Sequence, residues 1–190
     1  MRAITAGLLA LLACASLAQA QHMPGPEKLI AEQREKLAPL KAMDGVWRGP
    51  AWVLQPDGSK KNLTQTERIG PFLDGSVKVL EGRGYDADGR VNFNAFGIVY
   101  YDSYRKAYGL RSFAQGRGGD FKFEPTADGY AWEVSFPGGR VNYVATIKDG
   151  KLREVGHTTM DGKPTFQSFE MNLERVGDTD WPLGTPIPQK

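Results

Sequence analysis

The sequence predicts an all-β fold: an up-and-down antiparallel β-barrel of about ten strands preceded by a short N-terminal helix. Three observations predict it. After residue 44, short runs rich in aromatic and β-branched residues alternate between apolar and polar positions. Asp-Gly pairs, which favour tight hairpin turns, recur between these runs. No helical pattern separates the strands, so parallel β-α-β units are not expected.

The first segment, residues 1–20, has the pattern of a secretory signal peptide. Arg2 supplies positive charge, Ile4 to Leu12 is a run of apolar or small residues, and Ala18-Gln19-Ala20 fits the cleavage site. The run is too short to cross a bilayer, and no later segment is apolar enough, so no transmembrane span is expected. The protein is therefore predicted to be periplasmic or secreted.

Cys14 leaves an alternative open for this segment. Leu11-Leu12-Ala13-Cys14 loosely resembles a bacterial lipobox, in which the cysteine is lipidated and anchors the mature protein. Cys14 is the only cysteine in the chain. Cleavage after Ala20 would leave a mature protein without disulfides, thiol catalysis or cysteine metal sites.

A helical segment is predicted over residues 21–44. Pro26 suits the first position of a helix, and Glu27 places negative charge in the first turn. Pro39 disfavours helical backbone at Ala38, so the helix should end near Leu40. One stripe of the helix carries Leu29, Ile30, Gln33, Leu37 and Leu40.

The barrel is predicted to occupy residues 45–176. Tyr130, Trp132, Val134 and Phe136 alternate with small or polar residues, as in a sheet with one solvent-exposed face. Closing the sheet into a barrel removes its exposed edges and leaves an interior that can hold one small ligand. The predicted strands are 45–54, 61–69, 76–85, 92–102, 107–115, 120–125, 130–136, 140–148, 151–159 and 164–175.

The last segment, residues 177–190, is predicted to be an extended tail. Pro182, Pro186 and Pro188 prevent it from forming a central strand. Trp181 is expected to pin the tail to the barrel wall.

Composition excludes several classes of function. Lys and Arg number 24 against 22 Asp and Glu, so no basic surface for nucleic acid is expected. His157 is the only histidine in a predicted strand, which leaves too few ligands for a zinc site. No Gly-x-Ser-x-Gly motif is present either, so we expect a protein that is not an enzyme and has no metal site.

One motif carries a resemblance to a known family. Gly45-Val46-Trp47, between the helix and the first strand, resembles the Gly-x-Trp signature of lipocalins, members of the calycin group of barrels. In that family the tryptophan closes one end of the barrel and an arginine of the last strand packs over it. The resemblance implies that Gly45, Trp47 and Arg175 form this closure, with a cation–π contact between Trp47 and Arg175.

The stretch from Ala38 to Gly49 is also similar to the opening of nitrobindin-like haem barrels and of uncharacterised bacterial lipocalin-like domains. The latter share the turn at Tyr100-Tyr101-Asp102. After Trp47 the nitrobindin pattern continues with alternate glycines, whereas Ala51 and Val53 follow Gly49 here.

The leading functional hypothesis is a binding protein that holds a small apolar or amphipathic ligand, with no cofactor. Arg111 is expected to meet an acidic group of the ligand. Ordinary core and wall packing is the alternative role for the aromatic candidates. Those candidates are Trp52, Phe96, Tyr100, Phe113, Trp132 and Tyr143.

Two further functions stay open. The resemblance to haem barrels implies a haem or nitric-oxide site with His157 as the axial ligand, although an exposed or hydrogen-bonded strand histidine is the alternative. A non-enzymatic envelope interaction protein, using the proline-rich tail, is the second. Glu67 and Glu81 are candidates for acid–base catalysis as a pair of carboxylates, but their spacing does not support this role.

Overall fold

The structure is a computed structural model that describes residues 24–182. The predicted signal peptide, Cys14 and the end of the predicted tail lie outside the described residues. Helix α1 is Pro26–Leu37, followed by 3-10 helices at Ala38–Met43 and Leu73–Gly75. The strands are β1 Gly45–Leu54, β2 Lys60–Phe72, β3 Val77–Tyr85, β4 Val91–Asp102, β5 Ala107–Ala114, β6 Arg117–Thr126, β7 Gly129–Phe136, β8 Gly139–Lys148, β9 Lys151–Met160 and β10 Phe166–Gly177.

The ten strands form a closed barrel, which confirms the predicted fold class. Each strand pairs antiparallel with the next along the chain, and β10 returns to pair antiparallel with β1. In this closing pair Ala51 lies opposite Met171, and Val53 lies opposite Phe169. Because every strand has two neighbours, the sheet has no free edge.

Two strand boundaries differ by three residues from the sequence prediction, since β2 continues to Phe72 instead of ending at Ile69 and β6 begins at Arg117 instead of Asp120. The glycine-rich run 116–119 was expected to be a break, but β6 already begins at Arg117. The ring of Phe113 packs over Gly118, and the ring of Phe121 packs over Gly119. These glycines therefore serve as strand positions that aromatic rings cover, and the turn itself needs only Gln115 and Gly116, which both have positive φ.

The Asp-Gly pairs act as hairpin turns where the chain reverses most tightly. Asp149 and Gly150 connect β8 to β9 with φ values of 51° and 70°. Two consecutive residues with positive φ are what a two-residue turn of the primed type requires. The pairing of Lys148 with Lys151 across this turn fixes the register of both strands.

The N-terminal helix covers one end of the barrel. The α-helix ends at Leu37, earlier than expected, because Pro39 turns the chain into the 3-10 helix. Leu40, Met43 and Trp47 are each only 1% exposed. The Nε1 of Trp47 donates a hydrogen bond to the carbonyl oxygen of Met43, with a donor–acceptor distance of 2.9 Å. The end of the barrel that faces the helix is therefore filled.

Arg175 lies beside this closure but not in the expected contact. Its backbone is opposite Trp47 in the β1–β10 register. Its guanidinium donates to the carbonyl oxygen of Asp44 at 3.4 Å and to the carboxylate of Asp178 at 2.5 Å. The cation–π contacts among residues 24–182 involve other pairs, so the expected contact between Arg175 and Trp47 is wrong. The nearby carboxylate of Asp178 offers the guanidinium a charge-assisted bond instead.

The described start of the tail packs against the barrel, as the sequence predicts for Trp181. The ring of Trp181 meets that of Phe72 edge-on, with centroids 5.7 Å apart. Arg68 lies over the Trp181 ring and pairs with Asp180. Across residues 24–182, no helix is long and apolar enough to span a membrane.

Candidate functional site

The barrel encloses a cavity of about 360 Å³ in the half that lies away from the helix. Glu67 lines its inner part and pairs with Trp47 of the filled end in the β1–β2 register. Asn92 and Gln115 lie at the opposite rim, beside the β3–β4 and β5–β6 turns, and are exposed. The cavity therefore has a floor near Trp47 and an opening toward these turns.

Most of the cavity wall is apolar. Its aliphatic part consists of Val53, Leu63, Leu80, Leu110 and Met171. On the other side, Trp132 and Tyr143 stack with their centroids 4.1 Å apart and their planes at 10°. Phe169 meets Tyr143 edge-on at 5.8 Å. Such a wall excludes water from ligand surface and gives flat groups a place to pack.

Glu154 of β9 is a buried acid in this cavity, with only 5% of its surface exposed. Its Oε2 accepts a hydrogen bond from the Nε1 of Trp132 at 3.2 Å, and Tyr130 supplies a second hydrogen bond. Burial raises the pKa of Glu154 to about 7, because the ionised form loses hydration. The two hydrogen bonds oppose this shift but do not cancel it.

Glu67 of β2 is the second acid on the cavity wall. Its Oε1 accepts a hydrogen bond from the Nε2 of Gln65 at 2.7 Å. The carboxylate lies against Gly82, where an added Cβ would be 2.7 Å from Oε1, so the missing side chain makes room for it. Burial raises the pKa of Glu67 to about 8, and the negative charges of Glu154 and Glu81 add to the shift.

The two acids also affect the tyrosines around them. Burial and the charge of Glu154 raise the pKa of Tyr143 to about 12. The pKa of Tyr130 is raised well above its usual value for the same reasons, with Glu67 contributing as well. Both tyrosines therefore stay protonated at neutral pH and act as neutral hydrogen-bonding groups in the cavity.

The cavity wall has no basic side chain among the described residues that line it. The buried Lys78 of β3 is the nearest candidate by strand position, but its ammonium pairs with the carboxylate of Asp44 at the filled end. Neither Glu67 nor Glu154 receives a positive charge from the part of the chain that the structure describes. The polar chemistry of the site is thus acidic and uncompensated.

Two of the predicted ligand-binding residues, Trp132 and Tyr143, lie together in the cavity. Phe96 borders it but is 42% exposed. The other aromatic candidates lie outside. Trp52 faces outward between Ala51 and Val53, with the ammonium of Lys60 located 3.6 Å from its ring centroid.

Tyr100, Phe113 and Arg111 also lie on the outer face. The ring of Tyr100 covers Gly109 on the neighbouring strand. Phe113 is 48% exposed. Arg111 pairs with Asp120 at 3.3 Å rather than pointing into the barrel. The expectation that these residues line an interior cavity is wrong, because strands β4 and β5 present the opposite residues to the inside.

His157 is likewise exposed on the outer face of β9. Its neighbours in the strand, Gly156 and Thr158, are buried. They lie on the same side of β9 as Glu154, which faces the cavity, so His157 lies on the opposite side. A side chain outside a closed wall cannot reach an iron atom inside it. The residues present therefore do not fit an interior haem ligated by His157.

Sequence reasoning missed Glu154 and Gln65, and it considered Glu67 only beside Glu81. The structure separates that pair, since Glu67 faces the cavity while Glu81 forms an ion pair with Arg83. The signal that could have found Glu154 was its phase. It has the same parity in β9 as Leu152, which is fully buried. Among residues 24–182, no group of three or more His, Cys, Asp or Glu side chains is arranged to hold a metal ion.

Comparison with solved structures supports the fold. The chain is similar to the structure described as "Crystal Structure of Rv2717c from M. tuberculosis", with a TM-score of 0.57 and 14% sequence identity. The similarity covers 74% of this chain and 96% of that chain. No protein-family model and no curated protein matches the sequence. The similarity to that structure concerns the fold alone, and the lipocalin-like and nitrobindin-like resemblances stay predictions.

Proposed function

We propose that the protein is an exported binding protein that holds a small apolar or amphipathic ligand inside the barrel, without a catalytic step. The observation that carries the proposal is the cavity of about 360 Å³ with an apolar and aromatic wall and a few polar groups. This combination is typical of small-molecule sites. A filled interior would instead have favoured a purely structural or interaction role.

The polar groups are few and held in place. Glu154 is fixed by Trp132, and Glu67 by Gln65. Perturbed carboxyl groups in a cleft are frequent at functional sites. In a binding protein such groups orient the ligand, and no covalent step is required of them.

A fluorescent neutral probe, N-phenylnaphthylamine, tests the proposal. We expect saturable binding to the wild-type protein, and a loss of affinity of at least about tenfold in Ala114→Trp, because the indole would occupy the cavity. Ala114 lines the cavity, whereas Ala107 lies on the exposed face of the same strand. Ala107→Trp is the matched control and should bind like the wild type. Equal binding by both variants would contradict an interior site.

The export part of the proposal rests on the sequence pattern of residues 1–20. Intact-mass measurement of the protein purified from its own host tests it. A mature chain beginning at Gln21 supports secretion after signal cleavage. A lipid-modified chain beginning at Cys14 would instead support the membrane-anchored alternative, and an unprocessed Met1 terminus would contradict export.

A further inference from the structure

We infer that the ligand is an amphipathic organic cation whose positively charged head group is received between Glu67 and Glu154. This inference rests on the proposed binding function and specifies its ligand class. It depends on the charge of the cavity, on where the two acids lie in it, and on what surrounds them.

The charged groups of the cavity favour a cation over an anion. Among residues 24–182, the cavity wall contributes two carboxyl groups and no basic side chain. A site for fatty acids or other anions needs a cation or several donors to replace the hydration of the anion. The buried Lys78 does not provide it, because Asp44 already neutralises it at the filled end of the barrel. Where the two acids are ionised, a ligand carboxylate in this cavity would meet like charge and no countercharge from the described residues.

Both acids lie away from the rim of the cavity. Glu67 lies at the level of Trp47, next to the filled end, and Gly82 leaves its carboxylate free to face inward. Glu154 lies at the level of Ala145 and Met171, within the wall rather than at the rim. The rim residue Asn92 lies three residues along β4 from Ala95, which is at the level of Gly82 and Glu67. A ligand would therefore enter with its head group first and leave its apolar part toward the opening.

An aromatic surface lies beside one of the acids, Glu154. The indole of Trp132 donates to Glu154 and stacks on Tyr143, so an electron-rich pair borders the carboxyl group. Aromatic faces and carboxylates together are the usual recognition elements for alkylammonium groups. The same surface adds little for an uncharged aliphatic head group.

Binding of a cation should be coupled to the release of protons from the two acids. Among the described residues, the groups that face the two acids are Gln65, Tyr130, Trp132 and Tyr143. Glu81 affects Glu67 through its negative charge, and none of these groups is a cation. Each acid therefore keeps a raised pKa in the ligand-free protein, about 8 for Glu67 and about 7 for Glu154. A bound cation favours the ionised carboxylates, so binding releases protons. Affinity for a permanent cation should increase as the pH rises through this range.

Calorimetric titration with three decyl compounds tests the inference: decyltrimethylammonium, decanol and decanoate. The first keeps its charge at every pH. At about pH 8 we expect decyltrimethylammonium to bind at least about tenfold more tightly than decanol, and decanoate to bind more weakly than decanol. Between about pH 6 and about pH 8 the affinity for decyltrimethylammonium should rise on the order of tenfold, while that for decanol stays constant.

The double variant Glu67→Gln/Glu154→Gln removes both charges while keeping the side-chain shape. We expect it to lose the preference for decyltrimethylammonium over decanol and the pH dependence of that preference. Glu124→Gln, an exposed position on β6, is the matched control and should behave like the wild type. Circular dichroism of each variant checks that it folds.

The outcomes separate the two claims. If none of the three compounds binds, the proposed function fails. If decanol binds and decyltrimethylammonium binds no more tightly, or if decanoate binds most tightly, the cavity is a ligand site but the inferred ligand class is overturned. The same holds if the double variant keeps the cation preference.

Discussion

Glu67 on β2 and Glu154 on β9 are separated in the barrel wall by strands β1 and β10, yet both line the same cavity. Neither acid has a basic partner among residues 24–182, and burial raises the pKa of both above the usual value of 4.5. Both acids therefore keep their protons to a higher pH in the folded protein than in the unfolded chain. The pH should affect the stability of the protein as well as ligand binding.

The first prediction concerns stability and pH. A carboxyl group with a raised folded-state pKa stabilises the fold fully below its unfolded pKa, and this stability is lost as the pH rises through the folded pKa. With values of about 8 for Glu67 and about 7 for Glu154, the free energy of unfolding should fall between about pH 5 and about pH 8. The fall should be on the order of a few kcal/mol.

Urea denaturation across this pH range measures the effect. The double variant Glu67→Gln/Glu154→Gln should show a nearly flat profile and should be more stable than the wild type near pH 8. Glu124→Gln should keep the wild-type slope. A wild-type profile that rises with pH over the same range would show that the two acids are not held in a protonated state.

The second prediction concerns the bond between Trp132 and Glu154. Trp132→Phe keeps an aromatic ring to stack on Tyr143 but removes the Nε1 donor at 3.2 Å from Oε2. We expect a loss of about 1–2 kcal/mol in the free energy of unfolding. Because that hydrogen bond lowers the pKa of Glu154, the pKa of this carboxyl should rise further in the variant.

Carboxyl carbon NMR titration of the two proteins measures the pKa of Glu154 directly. Trp52→Phe is the matched control, because Trp52 lies on the outer face against Lys60. An unchanged Glu154 titration in Trp132→Phe would mean that the indole does not bond to this carboxylate in solution.

The third prediction concerns the buried ion pair between Lys78 and Asp44. The side chain of Lys78 is only 5% exposed, and that of Asp44 is 22% exposed. Asp44→Asn should destabilise the protein by about 3–5 kcal/mol, because it leaves a buried ammonium without a countercharge. The double variant Asp44→Asn/Lys78→Met should recover most of this loss in thermal or urea unfolding. Equal stability of Asp44→Asn and the wild type would show that Lys78 finds water or another partner.

The fourth prediction concerns the closure of the barrel between β1 and β10. A Cβ at Gly49 would lie 2.9 Å from the Cα of Leu173 and still closer to the carbonyl oxygen of Asn172. Gly49→Ala should therefore push the closing strands apart and cost about 1–3 kcal/mol. A Cβ at Gly177 would meet nothing within 4 Å in the described part of the chain, so Gly177→Ala should be close to neutral. Chemical denaturation of both variants compares them, and similar losses would contradict tight packing at Gly49.

The fold could be predicted from the sequence because its signals are local. Turn residues such as Asp149-Gly150 mark the hairpins, and strands such as β7 show one clear apolar parity through Tyr130 and Trp132. A succession of hairpins leaves few topologies, and closure removes the exposed edges. The error at Arg117 arose because a glycine run resembles a loop until the aromatic rings that cover it are known.

The site was harder to predict because its strands are ambiguous in parity. Tyr100 and Tyr101 are adjacent aromatic residues on β4, and only the second is buried. Trp52 is aromatic, as a cavity residue often is, but its position in the alternation of β1 places its side chain on the outer face. Glu154 was overlooked because a charged residue in a strand usually marks the solvent-exposed face, and nothing local shows that it lies opposite other inward positions.

The central claim is that the interior of the barrel receives the ligand, and proton–nitrogen correlation NMR of the tryptophan indoles tests it most directly. The chain has 4 tryptophans, of which Trp132 lines the cavity and Trp52 lies on the outer face. When decanol is titrated into the protein, the indole signal of Trp132 should shift in a saturable manner while that of Trp52 stays in place. A shift of Trp52 with an unchanged Trp132 would place the ligand on the outer surface and contradict the claim.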